Sequence, residues 1–201
     1  MGHLYALYLL AQFREKEAYP WIVDFFSLPG EVSVNITGDV VTEDLHRILA
    51  SVYDGDDRLL KGLVEDPKVN EYVRSAALRT FLVLVTSGQQ SRDTVMAYYQ
   101  SLFHGKLERD HPFLWGSLID CCTDLYPQEV YADIQTAFAE DLVEEFFITM
   151  DNVQTTYVQG KEAVLTQLHQ NPDYTLIEDT IQEMEDWHCW KTSSAKTDKS
   201  P

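Results

Sequence analysis

Residues 70–85, NEYVRSAALRTFLVLV, place apolar side chains at the spacing of a helical turn and, beyond Ala76, around nearly the whole circumference. A helix that is apolar on every side holds in water only when neighbours cover it on several sides, so this segment predicts a central helix inside an assembly of others. The neighbours are legible on both sides of it. HLYALYLLAQF opens the chain, and WIVDFFSL follows Pro20, where a missing N–H costs nothing at a helix start. In LHRILASV, residues Leu45, Ile48, Leu49 and Val52 fall at i, i+3, i+4 and i+7, while Glu43, His46, Arg47 and Ser51 turn away from that face. SRDTVMAYYQSLF has Ser91 as its expected cap, and HPFLWGSLIDCCTDL followed by YPQEVYADIQTAF forms a further pair.

The pairs look related to one another. A Tyr-Pro junction recurs at Tyr19-Pro20 and Tyr126-Pro127, and the first helices share a small-and-apolar centre at Ala6-Leu7-Tyr8, Ile48-Leu49-Ala50, Ala76-Ala77-Leu78 and Ser117-Leu118-Ile119. Their spacing, roughly 30 to 40 residues, is near the period of HEAT-type repeats, whose units bury their faces only by stacking. The expectation is an all-α chain, a HEAT-like α-α superhelix or helical repeat solenoid, forming one domain over residues 1–190. KTSSAKTDKSP, residues 191–201, reads as a disordered tail. The last third adds an expected acidic helix over residues 142–150, another over 161–169, and a final one with Ile177, Ile181, Met184 and Trp187 on one face. LPGEVSVNITGD contains the alternation Val32, Val34, Ile36, but a lone strand has nothing to pair with, so the segment is expected to be loop.

Charge limits the partners. Fifteen Lys and Arg against 33 Asp and Glu give a formal net charge of -18, a field that repels nucleic-acid phosphates and anionic headgroups and favours cationic partners or plain solubility. No apolar run approaches the roughly 20 residues of a spanning helix, and residues 1–17 lack a basic head and a cleavage site, so a cytoplasmic protein is expected. Cys121, Cys122 and Cys189 are a poor disulfide framework and fit a reducing compartment.

The densest polar chemistry lies in GDVVTEDLHRILASVYDGDD, residues 38–57. Thr42 is the expected cap of the Leu45 helix, Glu43 and Asp44 suit its positive end, and Glu43 stands four residues before Arg47 in the favourable order. Asp39, Asp54, Asp56 and Asp57 are hard oxygen ligands, yet DGDDRLLKGLVE has Arg58 at the fifth place of a calcium loop and Leu59 where the turn needs Gly. Zinc spacing of the CxxC or HExxH kind is missing, and Cys121 and Cys122, about 100° apart on a helix, read as a buried pair. WHCW, residues 187–190, reads as packed aromatics with a chance His and Cys. Neither a GxSxG elbow nor a Gly-rich phosphate loop is present, and no cofactor or metal is expected. Trp21, Tyr72, Tyr98, Tyr99, Trp115 and Tyr131 exceed what a helical core needs, so those on an inner wall would anchor a partner.

Three segments, HLYALYLLAQFREKEAYPWIVDFFSLPGE, GDVVTEDLHRILASVYDGD and NEYVRSAALRTFLVLVTSG, resemble a bacterial family known as domain of unknown function eleven-eighty-six; DLYPQEVYADI and IEDTIQEMEDWHCW also fit. The resemblance implies an all-helical, HEAT-like fold and no assigned activity. Some relatives continue into a Cys-rich SEC-C zinc motif, absent here, and relatives tend to begin with further helices, so a shortened or excised chain is expected. The function expected is a protein-interaction or scaffold module with a protein partner and a possible homo-oligomer. Its binding residues are expected to be Asp39, Glu43, His46, Arg47, Tyr72, Arg74, Trp115 and Asp120. The rival expectation is a metal-assisted hydrolase using Asp39, Glu43, His46 and Asp120.

Overall fold

The computed structural model describes residues 2–144, 147–185 and 187, and every regular element among them is helical. In chain order the α-helices are α1 (Gly2–Gln12), α2 (Tyr19–Phe26), α3 (Val32–Thr37), α4 (Val40–Glu43), α5 (Leu45–Val52), α6 (Asp57–Glu65), α7 (Glu71–Thr86), α8 (Arg92–Ser101), α9 (Pro112–Asp124), α10 (Tyr131–Ala139), α11 (Met150–Gln159), α12 (Lys161–Gln170) and α13 (Thr180–Met184). The starts follow from side-chain oxygens that take up orphan N–H groups: Asp56 at α6, Asn70 at α7, Ser91 at α8 as expected, and Thr149 at α11 in a reciprocal pair with Asn152. Among the described residues no helix is long and apolar enough to cross a membrane.

The apolar segment that opened the reading is α7, and it is central. It packs against α5 and α6 on one side and α9 on another, with Leu78, Leu82, Val83 and Leu84 fully buried. The first helices touch in succession, α1 on α5, α5 on α7, α7 on α9, while α2 packs on α6. A second, smaller apolar cluster joins Leu4, Tyr8 and Ala11 of α1 to Val40, Ile48, Ile177 and Met184.

The segment after α12 explains that cluster. From a short 3-10 turn, Pro172–Tyr174, it runs as a strap across α7 and α5 to α1. Thr86 donates to the Tyr174 carbonyl at 2.5 Å, Arg47 to the Thr175 carbonyl at 3.0 Å, the Ile177 amide to Ser51 Oγ at 3.0 Å, and the Thr180 amide to Gln12 Oε1 at 2.9 Å. Trp187 then meets Tyr8 edge to face at 5.6 Å.

Several local expectations are corrected. Residues 32–37 form a helix, not a loop, closed by Gly38 at a φ of +59° that other residues rarely adopt. Thr42 does not cap α5; it lies inside α4 and donates to the Asp39 carbonyl, and Asp44 precedes α5 without a side-chain cap. Residues 142–144 and 147–149 lie outside any helix, because Asp141 turns left-handed at φ +56° after α10 and Leu142, Val143 and Ile148 drop into the core. Tyr126 is left-handed too, at φ +68°, so α10 begins at Tyr131, whereas Tyr19 is helical; the two Tyr-Pro junctions share sequence and not geometry. The final helix contracts to α13, with Ile181 exposed. His188, Cys189 and residues 191–201 lie outside the described residues.

Arginines join elements where helix-end carbonyls lack partners. Arg74, its side chain 1% exposed, donates Nε to the Val64 carbonyl at 2.9 Å and its two terminal nitrogens to Glu108 at 3.0 and 2.7 Å. Arg92 repeats the arrangement with the Leu125 carbonyl and Glu129, both terminal contacts at 2.7 Å. Each guanidinium satisfies a carbonyl that its own helix cannot, and the planar fork fits one carboxylate. Removing one partner strands a buried charge, so Glu108→Leu is expected to cost about 3–5 kcal/mol in urea unfolding. Arg74→Met combined with Glu108→Leu is expected to recover at least half of that loss, and a purely additive double variant would contradict this account.

Candidate functional site

The eight residues singled out from sequence occupy four places. Asp39 and Glu43, at the two ends of α4, line a cavity of about 380 Å³ with Leu4, Val40 and Trp187. Partial burial, then the nearby Asp39 and Asp44 carboxylates, raise the Glu43 carboxyl above its ordinary value. Neither carboxylate has an ion-pair partner among the described residues. Arg47 is engaged elsewhere than expected, with Asp44 at 3.0 Å and in a two-pronged contact with Glu183 at 2.8 and 2.6 Å, not with Glu43.

His46 is the second place, and its position corrects the reading of α5. His46 and Ser51 do not face water: both are buried beneath the strap, which offers backbone groups where a plain solvent face was expected. The His46 ring lies 2.7 Å by Nε2 from the Asp173 carbonyl, so Nε2 carries the proton and donates, and the ring meets Tyr174 edge-on at 6.2 Å. Nδ1 has no hydrogen-bond partner among the described residues. Burial first, then Arg79 and to a smaller degree Arg47, push its pKa down to about 3 against the effect of the carbonyl.

Asp120 is near this region but on α9. The residue is exposed at the surface; the protein atoms crowding one side of the carboxyl, then the Asp124 carboxylate one turn later, raise its pKa to about 6, with Arg79 opposing. Asp124 accepts a 2.7 Å hydrogen bond from Tyr174, and Arg79 lies over the Tyr174 ring at 5.8 Å while donating to the Thr42 carbonyl at 3.0 Å. The four residues of a metal-assisted hydrolase are therefore split between the Asp39–Glu43 cavity, the space beneath the strap, and α9.

The fourth place is the start of α7 and α9. Arg74 is sealed in its clamp, and Trp115 is buried with its indole N–H donated to the Glu108 carbonyl at 2.8 Å. Tyr72 is the exposed member, 5.2 Å edge-on from Phe113, which meets Phe147 at 5.3 Å. Of the other aromatics read as surplus, Tyr98 and Tyr99 are core residues, while Trp21 is 76% exposed.

Other acids are used locally. Asp56 caps α6 and holds Arg58 at 2.6 Å, and Asp57 pairs with Lys61 one turn on at 2.7 Å. Cys121 and Cys122 are buried as expected, and burial pushes both thiols well above their ordinary value, which leaves them inert.

Sequence reasoning missed one site. Between α1, α2 and α3 lies an apolar groove of about 420 Å³ walled by Leu7, Leu10, Trp21, Ile22, Phe25 and Ile36. The signal was present in VSVNIT: at helical spacing Ser33 and Thr37 share one side and Val32 and Ile36 another.

The family model described as Protein of unknown function (DUF1186) matches residues 1–191. An uncharacterized protein of Chlamydia trachomatis serovar D is 43% identical over 187 residues, covering 92% of this chain and 73% of that protein. An uncharacterized protein of Chlamydia muridarum is 42% identical over the same length, covering 92% and 74%. No solved structure matches the chain.

Two ionisations give opposite pH signatures. His46 in the folded chain binds a proton only near pH 3, whereas the unfolded imidazole binds it near 6.5, so stability falls as pH drops below about 6.5, by up to ~1.4 kcal/mol per unit. His46→Gln keeps a donor for the Asp173 carbonyl and removes the titration; its stability relative to wild type, from urea unfolding, is expected to rise steadily between about pH 6.5 and 4. Asp120 has a raised folded pKa, so its ionised form costs stability at neutral pH and the cost fades as pH falls below about 6. Solvent at the exposed edge of Asp120 screens the effect, so Asp120→Asn is expected to raise the Tm only slightly near neutral pH and to leave it unchanged near the ordinary carboxylate pKa.

Proposed function

We propose that this chain, which belongs to the family described as Protein of unknown function (DUF1186), is a protein-interaction module built on stacked HEAT-like helical pairs. The curated relatives carry no activity in their names, so the reading rests on the molecule. The observation that carries it is Trp21, a large aromatic side chain left 76% exposed at the lip of an apolar groove. Soluble proteins rarely leave contiguous apolar surface uncovered without a use for it, and Trp is enriched among residues that anchor partners.

The packing order supports the repeat part of the reading. α1 touches α5, α5 touches α7 and α7 touches α9, while α2 and α6 pack on one another, an order in keeping with paired helices added unit by unit. The inward commitment of Arg47, Arg74 and Arg92 supports a rigid frame, since their hydrogen bonds are spent within the chain. A frame of this kind presents a surface of fixed shape, and fixed shape lowers the ordering cost of association.

Selection of a random-sequence peptide library displayed on phage against the whole immobilised chain tests the reading. Enrichment of a convergent peptide set whose binding survives in solution is expected, and Trp21→Ser is expected to weaken those ligands about tenfold or more. A library that yields no convergent set would contradict an interaction role.

A further inference from the structure

We propose that the face formed by α1, α2 and α3 receives a basic amphipathic helix of another protein, with apolar side chains in the groove and a Lys or Arg reaching Asp39 and Glu43. This rests on the reading of the chain as an interaction module and adds the partner's chemistry.

The first argument is that α3 is inside out. Its polar Ser33 and Thr37 are buried, and Thr37 donates to the Ser33 carbonyl at 2.8 Å; its apolar Val32 and Ile36 are 48% and 47% exposed. Only Val34 turns toward the core, so two of the three apolar residues of this short helix face outward, and such local contradictions concentrate at functional or strained sites. Tyr5, Phe13, Trp21 and Leu28 are exposed on the same stretch of chain. The groove has the size of sites that take several side chains, within the usual range of about 300–1,000 Å³.

Charge identifies the occupant. Glu15, Glu17 and Asp24 flank the groove walls in sequence and make no ion pair among the described residues. The Asp39–Glu43 cavity adjoins the groove, since Thr37 lines both. Of the nearby basic side chains, Arg14 is held by Glu178 and the Ile177 carbonyl, both at 2.5 Å, His3 on the groove wall is bonded to the Ile36 carbonyl at 3.0 Å, and Arg79 donates to the Thr42 carbonyl, which leaves Lys16. A second copy would bring these carboxylates against themselves within a chain of net charge -18, so self-association through this face is opposed, and a Lys- or Arg-bearing partner is favoured. The walls are helices and offer no strand edge to extend, so the fitting mode is a helix laid in the groove, its apolar residues spaced at i, i+3, i+4 and i+7. Trp187 beside Asp39 and Glu43 adds a ring face against which a cationic head and its alkyl stem can pack.

The test uses the whole chain and a fluorescein-labelled synthetic peptide with Leu at those spacings and Lys elsewhere. Its controls are a shuffled peptide of the same composition and a version with Glu for Lys. Fluorescence anisotropy at physiological salt is expected to show saturable binding of the first peptide and binding about tenfold weaker or worse for both controls. Trp21→Ser and Ile36→Asn are each expected to weaken the complex about tenfold, with circular dichroism unchanged because both side chains are exposed. D39N combined with E43Q is expected to weaken it and flatten its salt dependence, whereas Glu162→Gln on α12 leaves it unchanged. Equal binding of the shuffled peptide, or indifference to Trp21→Ser, would overturn the proposal, as would light scattering showing a dimer that Trp21→Ser dissolves. If the phage selection yields ligands sensitive to Trp21→Ser but poor in Lys and Arg, the module reading survives and this inference fails; if it yields none, both fail.

Discussion

The arrangement depends on how α5 disposes of a polar row in the middle of a hydrophobic body. His46, Arg47 and Ser51 stand opposite Leu45, Ile48, Leu49 and Val52, and burying them bare would leave several polar groups without partners at a cost of a few kcal/mol each. The strap removes that cost by running an irregular backbone over the row. The Asp173 and Thr175 carbonyls take the imidazole and guanidinium N–H groups, Ser51 takes the Ile177 amide, and Glu183 neutralises Arg47. An irregular segment suits this task better than another helix, whose own backbone groups are already paired. The same solution holds α1 in place, because the strap ends against Gln12, Tyr8 and the small apolar cluster.

Arg74 and Arg92 apply the same chemistry at smaller scale. A carbonyl left over at a helix end, a buried guanidinium and one Glu form a joint between elements that hydrophobic packing alone would bring together without fixing their register. Other acids cap helices, pair within a helix, or tie distant elements together, as Glu183 does with Arg47 and Asp124 with Tyr174.

Much of the fold was legible in periodicity. The central place of α7, the cap at Ser91, the buried Cys121–Cys122 pair and the all-helical class follow from side-chain spacing and elementary capping chemistry, which act within one or two turns. What escaped depends on contacts distant in sequence. Nothing local to LHRILASV tells that its polar face meets residues 173–183, so His46 reads as exposed until the strap is seen. Leu142, Val143 and Ile148 read as a helix because apolar content reports burial and not backbone shape. Of the candidate site, Asp39 and Glu43 were found from their density of charge, while the groove was hidden because α3 points its apolar residues outward, against the rule that makes such patterns readable.

The strap's contacts with α5 join residues 126 to 136 positions apart. During synthesis from the N-terminus, α1 through α9 can therefore assemble while the His46–Ser51 row is still bare, and the later strap segment covers it. A chain that has not yet placed residues 173–183 would carry a wet, partly charged seam in the middle of its wall, a surface of the kind that chaperones and proteases inspect, so the arrival of the strap is the step that covers it.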